Sequence, residues 1–224
     1  MAKKLYLSAA AHQHDNPTEC PDKCGENIHC KAYMDLVETR MKALGVEVKR
    51  GYRDDVGSAA LQNRVAEANK WDADLYYVAH TNAAGKPDAK VHRSVTMCWD
   101  DATSKKKAAV IGKYRKSIKT HKVNVRTDLY EIRKTKMTCL YDELFFHDNP
   151  DDCAWFHSGG MEVMVEETVQ ALCELLGVTY APKPAETPSA GRLYRVQVGA
   201  YAKKENADKM TAKLKAAGFD AVVV

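Results

Sequence analysis

Apolar residues recur along this chain in two alternating rhythms, one of period two and one close to period 3.6. The alternation in KLYLS, residues 4–8, predicts a first strand. GENIHCKAYMDLVETRMKALG, residues 25–45, then carries Ile28, Ala32, Leu36, Val37, Met41 and Leu44 at helical spacing, with Gly45 as its C-terminal cap. VEVKRGY, 46–52, reads as a strand, and SAALQNRVAEANKW, 58–71, as a helix with Ser58 at its N-cap. In ADLYYVAHTNA, 73–83, apolar residues from Leu75 to Ala79 point to both faces, which predicts a central strand. A further strand is expected at 89–99 and a basic-faced helix at 104–122. A late strand, TCLYDELFFHDN, covers 138–149, and a closing helix covers 161–177. Strands alternating with helices predict an α/β fold: a mostly parallel sheet with helices on both faces.

The rhythm then breaks. APKPAETPSAG, 181–191, holds three of the seven prolines and no apolar period, as expected of a semi-rigid linker. Beyond it, LYRVQVGAY, KENADKMTAKLKAAG and DAVVV read as strand, helix and strand. The expected organisation is a main domain over 1–180, a linker over 181–191 and a small β-α-β unit over 192–224.

Composition adds limits. The 224 residues can bury a full core, and 45% hydrophobic with 29% charged residues is a globular mix. No apolar run approaches the ~20 residues that cross a membrane. The net charge of +4 suits an anionic wall surface but is too small to argue for nucleic acid. The opening MAKKLYLSAAAHQHDN makes a poor signal peptide, so synthesis in the cytoplasm is expected, with action outside the cell only after something else opens the membrane. Of seven cysteines, Cys98, Cys139 and Cys173 sit in apolar segments and read as small buried hydrophobes. Cys20, Cys24 and Cys30 lack the fourth ligand and the paired C-x2-C spacing of a structural zinc site. A loop-stapling disulfide or plain thiols are the expectation there, although Cys30, one turn after Glu26, could face a metal.

A hydrolytic metal site needs three nitrogen or oxygen ligands, an open position, and a carboxylate to move the proton of water. In an open α/β sheet such groups gather where strands end. His12 and His14 follow the first strand, His80 ends the central one, Glu143 lies in the late strand, and Glu26 opens the first helix. Together they make a complete metallohydrolase set.

The order of these motifs resembles the zinc-dependent N-acetylmuramoyl-L-alanine amidases of the amidase-3 type over residues 1 to about 178. Glu26-Asn27 opens the first helix, Arg64 and AEAN (66–69) precede ADLYYVAHTNA, and LYDELFFHDNPDD follows. The resemblance implies Zn2+ held by Glu26, His80 and a histidine after the first strand, with His12 favoured and His14 the alternative. It also implies Glu143 as catalytic acid/base, acting on the amide between the lactyl group of N-acetylmuramic acid and L-alanine in peptidoglycan. The glycine-rich loop common in that family is replaced here by AAAHQHDNP. The tail resembles the first half of a SPOR domain, a module that binds peptide-stripped glycan, and two chains could complete one another as a homodimer. The competing expectation is an inactive wall-binding or regulatory protein on the same scaffold. Asp142 is expected to be structural, His29 to lie beside the site or in solvent, and His92, His121, His147 and His157 to belong to no constellation.

Overall fold

The computed structural model describes residues 2–12, 25–51, 55–85, 90–183, 198–219 and 221–223. The chain divides into two compact units, Met1–Lys183 and Pro184–Val224. In the first, the described residues form a six-stranded sheet in the order β2-β1-β3-β6-β4-β5. Its strands are β1 (Lys4–Ala9), β2 (Glu47–Arg50), β3 (Leu75–Asn82), β4 (Ser94–Cys98), β5 (His121–Val125) and β6 (Cys139–Phe146). Strands β1, β2, β3 and β6 run parallel. β4 pairs antiparallel with β6 and carries β5 parallel to itself, so the sheet is mixed.

Helices α1 (Glu26–Ala43), α3 (Ala102–Tyr114) and α6 (Met161–Leu176) cover one face. Helices α2 (Gly57–Trp71) and α4 (Tyr130–Lys134) cover the other. Strand alternation sorts the side chains between these layers. In β6, Leu140 and Leu144 pack into the α1/α3/α6 core, and Cys139 and Tyr141 into the α2/α4 core. Asp142 is fully buried on the first side, where it accepts from Tyr77 Oη at 2.7 Å and Thr96 Oγ1 at 2.9 Å and pairs with Arg115 Nη2 at 2.6 Å. Arg115 also donates to the Met164 carbonyl and to Thr168 Oγ1, which ties α6 to the sheet. Burial alone would lower the Arg115 pKa, but Asp142, Tyr33, Tyr77 and Glu167 together outweigh it and the guanidinium stays charged.

Several boundaries differ from those expected. The buried stripe of α1 is Cys30, Tyr33, Met34, Val37 and Met41, and Ile28 is 57% exposed. The helix expected over 104–122 ends at Tyr114, because Arg115 turns inward to Asp142, and the chain then forms β5. Asp101 caps the start of α3 by accepting from Ser104 N. Ser58 lies inside α2, whose N-cap is Val56. Helix α5 (Pro150–Trp155) was not anticipated: Asn149 caps it with Pro150 in the first turn. It runs through a π-turn, Phe156–Gly160, into α6.

In the second unit the described residues form helix α7 (Lys204–Ala216). Residues 198–201 and 221–223 take no strand conformation, and the rest of the two expected strands lies outside the described residues. Val198, Tyr201, Phe219, Val222 and Val223 are exposed. No described helix is long and apolar enough to cross a membrane.

Candidate active site

Because β1, β3 and β6 are parallel, their carboxyl ends open at one edge of the sheet. His80 lies near the end of β3, with Glu143 as its register partner in β6. Glu26 is the first residue of α1, and His12 follows β1 by three residues. Ala10 N donates to the Ala79 carbonyl, which carries the β1–β3 pairing one step beyond the strand.

One ligand atom each from His12, Glu26 and His80 lies within 4.8 Å of the others, a grouping able to hold a metal ion. Glu26 is 1% exposed, with its Oε2 2.9 Å from His12 Nε2 and its Oε1 3.0 Å from His80 Nδ1. Thr81 N donates to the same Oε1 at 2.9 Å. Burial alone would raise the Glu26 pKa, but the hydrogen bonds from His12 and His80 outweigh it and hold the carboxyl well below the usual range. The His80 ring stacks on Tyr141 at 4.6 Å and meets the His12 ring edge-on at 5.2 Å.

Glu143 provides the contrasting carboxyl. It is half-buried, and its Oε2 is sealed from solvent with no hydrogen-bond partner among the described residues. Burial pushes its pKa up to about 7, with nearby His80 opposing and the Glu26 charge adding. Two neighbouring carboxyls are thus driven apart, one to a permanent anion and one to a group that exchanges protons near neutrality.

Supporting residues lie around this set. The Asn27 side chain clasps the His12 backbone twice, accepting from its N–H and donating to its carbonyl, each at 3.1 Å. His147 Nδ1 lies 2.8 Å from Thr81 Oγ1 beside His80, and Asp148 Oδ2 accepts from Ala84 N and Gly85 N at the rim. Arg64 reaches under the site to donate to the Ala9 carbonyl at 2.6 Å and to Ser8 Oγ, and it pairs with Asp55. Gly51 permits this, since a Cβ there would lie 2.4 Å from Arg64 Nε. Glu131 accepts from both Ser8 Oγ and Tyr76 Oη, which completes the floor. Beside the histidines lies a cavity of about 150 Å3 with Leu61, Leu129, Tyr130 and Tyr141 in its wall.

His12, Glu26, His80 and Glu143 therefore meet, although they are spread over more than 130 positions of the sequence. His14, Cys20 and Cys24 lie outside the described residues. Cys30 belongs to the α1 core with Tyr33 and Met34 and is not among the grouped metal-binding side chains of the described residues. His29 is buried, not exposed: its ring packs near Phe145 and Phe156, and its Nε2 lies 3.0 Å from His157 Nε2. The other histidines also have partners, Asp152 for His92 and Ser94 for His121. Of the supporting residues, Asn27, Arg64, His147 and Asp148 stand in the motifs noted in the sequence, whereas Ser8, Gly51 and Glu131 carried no such signal.

Comparison with known proteins adds two curated relatives, a solved structure and two family profiles. The N-acetylmuramoyl-L-alanine amidase CwlM of Bacillus licheniformis is 27% identical over 172 residues, covering 75% of this chain and 63% of the relative. The sporulation-specific N-acetylmuramoyl-L-alanine amidase of Bacillus subtilis (strain 168) is 26% identical over 184 residues, covering 74% and 62%. The chain thus spans less than two thirds of each of these relatives. The solved catalytic domain of CwlV, an N-acetylmuramoyl-L-alanine amidase from Bacillus (Paenibacillus) polymyxa var. colistinus, superposes with a TM-score of 0.69 at 20% identity. That match covers 79% of this chain and 99% of the domain, and it shows the shared fold. The SPOR domain profile matches residues 170–224. The amidase-3 profile matches residues 9–174, well over half of the chain, and so the chain belongs to the N-acetylmuramoyl-L-alanine amidase family.

Proposed function

We propose that this chain is a zinc-dependent peptidoglycan hydrolase. It cleaves the amide between the lactyl group of N-acetylmuramic acid and L-alanine, with His12, Glu26 and His80 as metal ligands and Glu143 as general acid and base. The carrying observation is the convergence of two imidazoles and an ionised carboxylate beside a desolvated carboxyl whose pKa lies at about 7.

The donor set fits the ion. Two nitrogens and one carboxylate oxygen make a common catalytic zinc shell, and the sealed Glu143 oxygen provides an acceptor next to it. Zinc, when bound, supplies Lewis acidity toward water and the scissile carbonyl. The chain's own residues do the rest. Thr81 N–H fixes one Glu26 oxygen, and Asn27 fixes the backbone that carries His12. Glu143 accepts the proton of the attacking water and returns it to the leaving amine of L-alanine, which its near-neutral pKa suits in both directions. The apolar wall of the adjacent cavity has room for the small methyl-bearing groups on either side of that amide.

The tail, with residues 181–191 as linker and 192–224 as a SPOR-like module, is assigned to glycan binding, which would hold the enzyme on wall it has already stripped. The decisive experiment measures zinc content and release of free stem peptide from purified peptidoglycan. Wild type should hold zinc at the His12/Glu26/His80 site and release peptide, and Glu143→Gln should keep the metal and lose release. Wild-type turnover in Glu143→Gln would refute the mechanism.

A further inference from the structure

The His29–His157 pair lies outside the set just described. His29 is 1% exposed, on the helix that Glu26 opens and three residues after it, whereas His157 is exposed in the π-turn after α5. Their Nε2 atoms lie 3.0 Å apart, with the rings tilted 68° at a centroid distance of 4.9 Å. Two imidazole nitrogens on a tetrahedral ion, each at ~2.0–2.1 Å, stand roughly 3.3 Å apart. The observed pair needs to open by only a few tenths of an ångström to share one ion.

The surroundings hold this geometry. The Phe145 and Phe156 rings, 6.3 and 6.0 Å from the His29 ring, limit its orientation. On the other side the helix is interrupted after His157, with Ser158 out of helical conformation and Gly159 at φ 109°. That φ favours glycine, and a Cβ at Gly160 would come within 2.6 Å of the Trp155 ring. The two glycines thus let the chain deviate where it presents His157. The exposed side of His157 gives an ion access from solvent.

We propose that His29 and His157 form a second transition-metal site, for a divalent ion of the imidazole-preferring class such as zinc or cobalt. The ion would act as a staple between the start of α1, which carries Glu26, and the segment that follows β6, which carries Glu143. This proposal does not rest on the hydrolytic reading, because different residues hold the two ions.

Zinc stoichiometry and cobalt absorption spectra of the full chain test it. Zinc-loaded wild type should hold close to two ions, His157→Ala one, Glu26→Gln one, and the double variant none. In Glu26→Gln, cobalt should give visible bands that His157→Ala removes, and zinc should raise the Tm only while His157 is present. His12→Gln replaces Glu26→Gln in the same scheme should the buried substitution fail to fold. One ion in both wild type and His157→Ala, or no cobalt bands in Glu26→Gln and His12→Gln, would overturn the second site.

Discussion

Glu143 should destabilise the metal-free protein near neutral pH, where its proposed role as acid and base would operate. Its carboxyl is driven from an ordinary 4.5 to about 7, chiefly by burial. A carboxyl whose folded pKa is raised contributes stability in full below its unfolded pKa, and the contribution is lost as pH rises through the folded pKa. The window therefore runs from about 4.5 to about 7. At ~1.36 kcal/mol per pH unit, the difference is about 3 kcal/mol. Glutamine in its place is neutral throughout and leaves no charge to desolvate. The chelated Glu143→Gln chain should thus gain on chelated wild type by about 3 kcal/mol between pH 4 and pH 8. For a 183-residue unit with ~2.1 cal/mol/K of unfolding entropy per residue, that is roughly 8 °C in Tm. Thermal unfolding followed by circular dichroism across this pH range, with chelator present, measures the gap directly. A gap that stays constant with pH would show that the Glu143 carboxyl is not desolvated in the fold, and its assignment as a near-neutral acid would fall with it.

Three other outcomes are expected. Asp142→Asn leaves Arg115 charged in the core and should cost about 3–5 kcal/mol, or roughly 8–13 °C in Tm; a loss under 2 °C would refute the buried-pair account. Asn27→Ala removes both contacts that hold the His12 backbone and should weaken zinc binding about 10- to 100-fold in a chelator competition assay; unchanged affinity would mean that His12 is fixed by other means. Deleting residues 184–224, which spares the Ala181 carbonyl bound by Arg40, should leave hydrolysis of soluble muropeptides intact and weaken binding to whole sacculi. Equal binding of both forms in a sedimentation assay would remove the targeting role.

The alternation of strand and helix was legible because each of the longer elements repeats its apolar period over several turns or pleats. The failures occurred where one tertiary contact decides the outcome. Nothing local in 104–122 says that the helix must stop at Tyr114, since the reason is a buried ion pair with Asp142, 27 positions away. The α1 stripe was misplaced because Ile28 is apolar yet exposed, and the buried face near the helix start holds polar residues, Glu26, Asn27 and His29, directed at the site and at His157. The grouping of His12, Glu26, His80 and Glu143 was foreseeable from strand ends, because parallel strands bring their carboxyl ends together. The opposite pKa tendencies of Glu26 and Glu143 were not foreseeable. They depend on which carboxyl receives hydrogen bonds and which is sealed without any.

In β6, successive side chains face opposite layers, so Asp142 and Glu143 are adjacent in the sequence yet answer to different demands. One is tested by whether the chain folds, and the other, in the role proposed for it, by whether the chain turns over. A single inserted or deleted residue within Cys139–Phe146 would exchange their positions, placing the acid of the mouth in the core and the core anion in the mouth. The strand can therefore drift in side-chain identity at Leu140 or Leu144 but not in length. Along a lineage, the count of residues between Cys139 and Glu143 should stay fixed while the apolar residues around it vary.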